Sequence, residues 1–485
     1  MPGNTAKRLV LLAVITAALI GMRYWLSSST APSEPAVTSN PNTTTQSVVS
    51  PPPTNAIDFA HLPIDDPRIL RILPGEHAQV LGDSVRNART GRLILPETPQ
   101  NSGVITTNPG YIGARACAEC HTQRVERFTQ TAHFNSTAIA TIETSSGEYT
   151  GDASVMSTRD SGVSFEMQER DDGIYQAATI GGGGEIIRHT QRIDLTIGSS
   201  KLGQSYLYWH GDRLYQLPVT YLEESHGWVN SPGYADGNAD FARPVPALCM
   251  ECHATYIAYD PDTFNRFDPN STILGVTCER CHGPGEQHAA FHRGNPNETG
   301  NHFITHPGEL PRELSIDICA QCHSSRDGAT SLQPAFSFRP GNPLSDYVIV
   351  PQDKAPGEGG VHTNNQVSRL AASQCFIQSP TMSCATCHNP HRQERGNSAL
   401  FSQRCMECHT EPQHTTIADR AGPLLQQNCV DCHMPVAKSV TTPIQGADNI
   451  IRAPLVRDHL IAVYPELSEL ILEERGNGDR REGAF

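Results

Sequence analysis

The sequence predicts an α+β protein in which mainly short helices and loops surround a core that side chains fill only in part, with a small β-rich insertion. Three observations predict this fold class. Hydrophobic residues make up only 37% of the 485 residues, beside 39 glycines and 36 prolines, so the aliphatic core is thin for this length. A short Cys-x-x-Cys-His sequence recurs seven times. The long interval between the first two of these sequences alternates apolar and polar residues, which is typical of strands.

The N-terminal residues 1–27 have the pattern of a targeting segment. Two basic residues precede an apolar run from Leu9 to Met22, whose length fits a secretory signal better than a full membrane span. The run extends to Leu26 if Arg23 reaches the membrane interface. An uncleaved membrane anchor and a cleaved signal therefore both stay open. Either alternative predicts export to the periplasmic or extracytoplasmic side, with the N-terminal segment as the membrane contact.

Two further segments precede the first Cys-x-x-Cys-His sequence. Residues 28–55 are predicted to be a linker, because residues 31–55 contain six prolines and nine serines or threonines and no lysine or arginine. This composition is typical of a flexible to semi-extended tether. Residues 56–110 contain a few apolar clusters and no motif. We predict that they form an N-terminal arm packed on the domain that follows.

Fourteen of the fifteen cysteines belong to the seven repeated motifs. Random placement of 15 cysteines and 21 histidines in this chain would produce the pattern roughly 0.02 times, so the repetition is not accidental. The motifs are Cys117, Cys120 and His121; Cys249, Cys252 and His253; Cys278, Cys281 and His282; Cys319, Cys322 and His323; Cys384, Cys387 and His388; Cys405, Cys408 and His409; and Cys429, Cys432 and His433.

The spacing within each motif is that of covalent haem attachment. Two thiols on one helical turn can each form a thioether with one of the two vinyl groups along one porphyrin edge, and the next residue then lies over the iron. We therefore predict seven c-type haems, attached to the fourteen motif cysteines and ligated by the seven motif histidines. Zinc ribbons and thioredoxin-like pairs also use Cys-x-x-Cys. Neither requires a histidine directly after the second cysteine, and four-cysteine zinc sites pair their motifs in twos, whereas these motifs are odd in number.

The interval between the first two motifs predicts strands. Apolar and polar residues alternate from Val163 to Gln168, and Asp172-Gly173 is a hairpin-turn sequence. A second hairpin is predicted around His210-Gly211-Asp212. We therefore predict a β-rich insertion at about residues 145–225.

The other six motifs are crowded between Cys249 and His433, with about 31 residues for each. A segment below about 40 residues needs a cofactor, metal or disulfide to fold. The haems are therefore expected to share one interior and to form a covalent multihaem core, in which porphyrin faces replace aliphatic side chains. This predicts a seven-haem domain over residues 111–460, followed by a C-terminal helix or tail over 461–485. Closely packed haems favour electron transfer over haem storage.

Histidines outside the motifs supply candidates for the second axial ligand of each iron. His391 lies only three residues after His388 and cannot easily reach the far face of the same haem, so we expect it to ligate a neighbouring haem. The same argument applies less strictly to His288, which follows His282. The alternative for any such histidine is an exposed or hydrogen-bonded side chain.

The strings CAECH with the later TAH, VTCERCHGPGEQH, CATCHNPH, and CVDCHMP with the later RDH resemble the cytochrome c-554 family of multihaem cytochromes, which is structurally related to hydroxylamine oxidoreductase. The resemblance covers roughly residues 111–460, and the β-rich insertion departs from the small four-haem members. It implies that most irons have two histidine ligands. The distal candidates that it implies are His133, His288, His391, His414 and His459, with His362 as a sixth and His226 or His210 as a seventh.

Two functional hypotheses follow. In the first, the protein is an electron carrier without enzymatic activity, and seven six-coordinate haems pass electrons between redox partner proteins, with a membrane quinol-linked donor as one candidate. In the second, one haem lacks its distal ligand and acts as an oxidoreductase on a small nitrogen or sulfur compound. The variant Cys-x-x-Cys-Lys, which the resemblance associates with an active haem in some related reductases, is absent from the sequence, which favours the carrier. The formal net charge of -15 argues against a nucleic-acid partner.

Two sulfur-containing residues stand outside the attachment pattern. Cys375 has no motif partner, and we expect a buried free thiol, with an intermolecular disulfide or an unusual ligand as alternatives. Met434 directly follows His433 and cannot reach the opposite face of that haem, so we expect it to serve in packing.

Overall fold

The computed structural model describes most of the chain beyond the linker. The described residues are 56–58, 66, 68–74, 92–97, 99, 103–181, 186–325, 328–350, 359–411, 414–415, 417–440, 443–448 and 450–476. They belong to one compact unit that begins at Asn55. The predicted targeting segment at 1–27 and the linker at 28–55 lie outside them. Within the described ranges, no helix is both long and apolar enough to cross a bilayer.

The helices are short, as the frequent glycines and prolines predict. Each attachment motif lies on a helix or at its C-terminal end, because two cysteines three residues apart share one turn. In the described part of the chain the helices are α1 (Gly113–Phe128), α2 (Ala247–His253), α3 (Cys278–His282), α4 (Glu286–Gly294), α5 (Arg312–His323), α6 (Gln366–Ala371), α7 (Gln374–Gln378), α8 (Cys384–Cys387), α9 (Ser398–Met406), α10 (Ala418–Ala421), α11 (Leu424–Gln427), α12 (Cys429–His433) and α13 (Pro465–Gly476).

Most strands lie before the second motif. The described strands are β1 (Ala56–Asp58), β2 (Ile69–Ile72), β3 (Leu93–Pro96), β4 (Thr137–Ile139), β5 (Val155–Ser157), β6 (Val163–Arg170), β7 (Gly173–Gly181), β8 (Ile186–Arg192), β9 (Leu195–Ile197), β10 (Gly203–His210), β11 (Arg213–Gln216), β12 (Val219–Leu222), β13 (Gly227–Asn230), β14 (Ala239–Asp240), β15 (Arg243–Pro244), β16 (Ala254–Tyr256), β17 (Ile273–Leu274), β18 (Thr330–Ser331), β19 (Val348–Ile349), β20 (Val436–Lys438), β21 (Ile444–Gln445), β22 (Ile451–Arg452) and β23 (Leu455–Arg457).

Two larger sheets form a β-rich region. One has the order β1-β8-β7-β6-β5, and the other has the order β13-β12-β10-β11-β15, with β9 joining β10 to β4. Both predicted hairpins are present. The first turns at Asp171-Asp172, one residue earlier than predicted, because Arg170 pairs with Gly173. The second turns at Gly211-Asp212, since His210 pairs with Arg213, and Gly211 adopts the positive φ of 63° that such a turn favours.

The β-rich region is larger than the predicted insertion at about 145–225. Strands run from β4 to β15, and the N-terminal arm contributes three more. β1 pairs in parallel with β8, while β3 pairs in parallel with β2 and β14. The arm was predicted to pack on the following domain, with no prediction of strands, and Leu93 is fully buried in the sheet core. The short apolar runs of the arm are therefore strands that a neighbouring sheet completes.

The aliphatic core is concentrated in the β-rich region. Its largest cluster of buried hydrophobic residues joins both sheets through side chains such as Phe165, Tyr206 and Phe241. The clusters among the later motif helices are small, for example Ala320, Phe338, Leu344 and Val348. Porphyrin faces would fill a region of this kind, as the composition predicts.

Candidate haem-binding sites

The described residues show neither a disulfide nor a cluster of zinc ligands at the seven motifs. Cys375, which was expected to be buried, is half-buried. Among the described residues, no group of three or more His, Cys, Asp or Glu side chains is placed to hold a metal by itself. A structural zinc site needs four such ligands, whereas a haem iron needs protein ligands only above and below the porphyrin.

The motif cysteines differ in how far they are exposed. Cys429 and Cys432 of the seventh motif both lie on α12 and are half-buried. The thioether from Cys432 to haem stays a prediction, as it does for the other thirteen motif cysteines. The exposed cysteines are Cys120, Cys249 and Cys408, and the half-buried ones are Cys117, Cys252, Cys278, Cys281, Cys319, Cys322, Cys384, Cys387, Cys405, Cys429 and Cys432.

Five motif histidines face a second histidine that comes from another segment. The separations of their ring centres are all close to 6 Å. Two metal–imidazole bonds of roughly 2 Å each place two ring centres about 6 Å apart, so one metal ion fits between the rings of each pair. The pairs are His121–His288 (6.4 Å), His323–His133 (6.2 Å), His282–His391 (6.1 Å), His388–His459 (5.9 Å) and His433–His414 (6.1 Å).

Backbone carbonyls orient several of these rings. A carbonyl oxygen can only accept a hydrogen bond, so each Nδ1 that contacts one carries the proton, and Nε2 keeps its lone pair for a metal. These contacts therefore prepare the rings for iron ligation. They join Nδ1 of His282 to Thr305 (2.9 Å), of His288 to His302 (2.8 Å), of His323 to Thr363 (2.8 Å), of His433 to Ala462 (2.8 Å) and of His459 to Arg457 (3.4 Å).

Burial also favours the neutral form of several of these rings. Burial lowers the pKa of His133, His391 and His459 to about 4. Neighbouring positive or protonatable groups act in the same direction, with Arg124 as the largest of them for His391. Burial likewise lowers the pKa of His282 and of several other motif histidines. A neutral imidazole is the form that binds a metal.

The pairing crosses between motifs. His391 follows the motif of His388 in sequence but faces His282, and His288 follows the motif of His282 but faces His121. His133, which follows the first motif, faces His323 of the fourth. Each such crossing ties two attachment sites to each other.

Two motif histidines lack an opposing ring among the described residues. No histidine ring lies opposite His253, which is half-buried and whose Nδ1 has no hydrogen-bond partner in that part of the chain. None lies opposite the exposed His409 either. At these two sites, unlike the other five, no described histidine is placed to be the second axial ligand of an iron.

The remaining distal candidates from the sequence are not brought opposite a motif histidine within the described ranges. His362 caps a short helical turn, with its Nδ1 accepting a hydrogen bond from the Asn364 backbone at 3.1 Å. His226 lies in an exposed turn beside Glu223, and His210 ends β10.

Neighbouring motifs also touch through their cysteines. Four pairs of thiols from different motifs lie close enough to shift each other's pKa. They are Cys117 with Cys278, Cys252 with Cys322, Cys319 with Cys384, and Cys405 with Cys429. Two further contacts link motif helices: Arg280 donates to Gln321 at 2.7 Å, and Arg404 donates to the Cys387 carbonyl.

Sequence reasoning missed two carboxylates that position the sites. Glu279, inside the third motif, is 1% exposed and accepts hydrogen bonds from the backbone N–H groups of Ile112 (2.9 Å) and Gly113 (2.7 Å), so it caps α1, which carries the first motif. Asp458 forms a buried ion pair with Arg369 directly beside His459. Both residues lie in strings that the sequence analysis already singled out. Glu279 is the first variable residue of CERCH, and Asp458 is the middle residue of RDH.

Parts of the chain match known proteins. The family described as cytochrome c554 and c-prime matches residues 116–164 and 234–283. The interval between these segments contains β7 to β13.

Two curated relatives match at low identity. The chain is 24% identical to the dissimilatory sulfite reductase MccA of Wolinella succinogenes in an alignment 263 residues long that covers 46% of this chain and 33% of that protein. It is 26% identical to the multiheme cytochrome MtrA of Shewanella baltica in an alignment 185 residues long that covers 35% of this chain and 49% of that protein. The matches thus span a third and about half of the length of these relatives.

Two solved structures are similar over 74% of this chain. The outer cell wall cytochrome OcwA has a TM-score of 0.46 at 16% identity, with 81% of that chain covered. The undecaheme cytochrome from the S-layer of Carboxydothermus ferrireducens has a TM-score of 0.34 at 18% identity, with 53% of that chain covered.

Proposed function

Because this chain is a multihaem c-type cytochrome, we propose that it binds seven covalent haems and transfers electrons between redox partner proteins outside the cytoplasm. The observation that carries the proposal is the set of five histidine pairs with ring centres 5.9–6.4 Å apart. A bound haem supplies one reversible electron at its iron. The chain supplies attachment, two axial ligands at five sites, and contacts between sites.

The sites are numbered one to seven in the order of their motifs. The fourteen motif cysteines hold the seven haems, with Cys429 and Cys432 holding the seventh, and the seven motif histidines are the proximal ligands. His288, His391, His133, His459 and His414 are the distal ligands of sites one, three, four, five and seven. Sites two and six, with His253 and His409, take a ligand that is not a described histidine, or none.

Contacts between motifs support a continuous route for electrons. Motif cysteines lie near one another between sites one and three, four and five, and six and seven, while hydrogen bonds of Arg280 and Arg404 connect site three to four and five to six. Site two joins this series as a branch at site four, through Cys252 and Cys322. The exposed motif cysteines belong to the first, second and sixth motifs. We infer that electrons enter and leave at these three sites.

The β-rich region is proposed to be an insertion in the cytochrome domain. The gap between the two matched family segments falls on β7 to β13, which supports this interpretation. Export, with the N-terminal segment as signal or anchor, rests on the basic and apolar pattern of residues 1–27.

The first test is the haem stoichiometry of the full chain. Mass spectrometry of the intact protein should show seven covalent haems, and a double variant that combines Cys429→Ser with Cys432→Ser should show six. Electron paramagnetic resonance of the oxidised protein should show five low-spin haems with two nitrogen ligands. Fewer than seven haems, or failure to reduce them reversibly with a soluble donor, would contradict the proposal.

A second candidate function is supported by sites two and six. No described histidine ring faces His253 or His409, so these are the two sites at which an iron could take a small ligand. The name of the Wolinella succinogenes relative, a dissimilatory sulfite reductase, makes a small sulfur oxyanion the first compound to test. If carbon monoxide leaves the spectrum of the reduced, undenatured protein unchanged, both sites are closed and the protein is a carrier alone.

A further inference from the structure

A cavity beside the distal ligand of site three is lined by arginines. Its volume is about 340 Å³. It lies between the C-terminal half of α1 and the loop that follows α8. The residues around it are Gln123, Arg124, Arg127, Asn389, His391 and Arg392. We call Arg124, Arg127 and Arg392 the arginine cluster.

The arginine cluster lacks partners within the described part of the chain. None of its three side chains makes a hydrogen bond or an ion pair with a described residue, although nearby arginines do. Arg293 pairs with Glu119 at 2.7 Å, and Arg404 pairs with Glu394 at 2.7 Å. Three unpaired guanidinium groups around one cavity, in a chain of net charge -15, form a local positive field that attracts anions.

The cavity adjoins the gap between the two rings of site three. His391 lines it and faces His282 at 6.1 Å. After burial, which is the main cause, the Arg124 guanidinium further lowers the pKa of both rings. Arg124 lines the same cavity as His391, so it lies beside the distal ring of site three.

The cysteines predicted to hold the haem of site three, Cys278 and Cys281, are half-buried. Cys278 lies near Cys117 of the first motif, and burial raises the pKa of Cys281. Thioethers form along one edge of the porphyrin, and the two propionates occupy the opposite edge. On a haem attached to the half-buried Cys278 and Cys281, the propionate edge would lie away from them, and the side chains of the arginine cluster are exposed.

We propose that the arginine cluster is a carboxylate-binding site that receives the propionates of the haem held between His282 and His391. A guanidinium fork matches the two oxygens of a carboxylate and forms paired hydrogen bonds with them. Neutralising the propionates removes negative charge beside the iron, which makes the iron easier to reduce. The cluster thus sets the reduction potential of site three. This inference rests on the proposed haem at that site.

The test compares reduction potentials in the full, haem-loaded chain. Arg124→Gln/Arg392→Gln removes two charges, Arg124→Lys/Arg392→Lys retains them, and Arg170→Gln removes a charge from β6. Redox titration is followed by electron paramagnetic resonance, and the signal of site three is identified as the one that His391→Ala converts to high spin. The glutamine variant should lower the reduction equilibrium constant of that haem on the order of tenfold, which is 59 mV for one electron. The lysine variant should keep most of the potential, and Arg170→Gln should not change it.

An unchanged potential at site three in the glutamine variant, with all haems present and low-spin, would overturn the inference and leave the proposed function intact. Loss of the haem at His282 from the unmodified protein would instead defeat the proposed function. Because the side chain of Arg392 is exposed and makes no described hydrogen bond, Arg392→Gln alone keeps the test available if the double variant does not fold.

A second arm separates propionates from a free anion. Inorganic phosphate is added to the unmodified protein at constant ionic strength. Occupied propionate contacts predict no change in the potential of site three. A saturable shift that the glutamine variant lacks would show that the arginine cluster binds a free oxyanion, and would overturn the propionate assignment.

Discussion

Replacing His391 with alanine removes the ring that faces His282 at 6.1 Å. The distance leaves room for one iron and no other side chain, and His391 is the sole described histidine that faces His282. We therefore expect one haem of the five paired sites to lose its sixth ligand. About one fifth of the low-spin intensity from paired sites should be replaced by a high-spin signal, and the reduced variant should bind one more equivalent of carbon monoxide than the unmodified protein.

His306 provides a matched control for this experiment. It acts electrostatically on both His282 and His391, so it lies near the same site, but its ring faces neither of them. His306→Ala should keep the low-spin spectrum. An unchanged spectrum in His391→Ala, or the same high-spin signal in both variants, would refute the assignment of His391 as a ligand of site three.

Three further predictions follow from the site geometry. Asp458→Ala should lower the free energy of unfolding by about 3–5 kcal/mol, because it leaves Arg369 buried without its partner. The exposed pair of Asp448 with Arg452 is the control. Denaturant titration measures both variants, and Asp448→Ala should lower the free energy of unfolding by less than about 1 kcal/mol. Glu279→Ala should lower the free energy of unfolding by at least about 2 kcal/mol, because it removes the cap of α1 and leaves buried N–H groups unpaired. Glu126→Ala is the control, and equal melting temperatures of the two variants would contradict this prediction. Carbon monoxide titration of the reduced protein should saturate at no more than two equivalents, for sites two and six, and a third equivalent would mean that one of the five histidine pairs does not hold its iron.

Much of the β-rich region was predictable from local patterns. The alternation after Val163 and the Gly211-Asp212 turn specify two hairpins because the side chains of a strand alternate between faces. The strands of the arm were not predictable in this way. Runs such as Ile69–Ile72 are too short to show a period. They become strands only through parallel pairing, of β2 with β3 and of β3 with β14.

The histidines that face the motif rings were within reach of the sequence, but their pairing was not. Short spacing argued that His391 serves another haem than the one at His388, yet nothing in the chain indicated His282 as its partner. His362 was a candidate by resemblance, and its side chain instead caps a turn. Which imidazole lies above which iron depends on how α1, α5 and the loops after the motifs pack, and this packing involves residues far apart in sequence.

The attachment of haem is determined by the sequence itself, because two thioethers and one axial ligand require only a single helical turn such as Cys429–His433. Only the tertiary structure decides which residue ligates the opposite face of each iron, because that residue must come from another segment whose position depends on long-range packing. It places histidine rings opposite five motif histidines and, among the described residues, leaves His253 and His409 without one. Whether the irons of those two sites have a sixth ligand decides between an electron carrier and an enzyme.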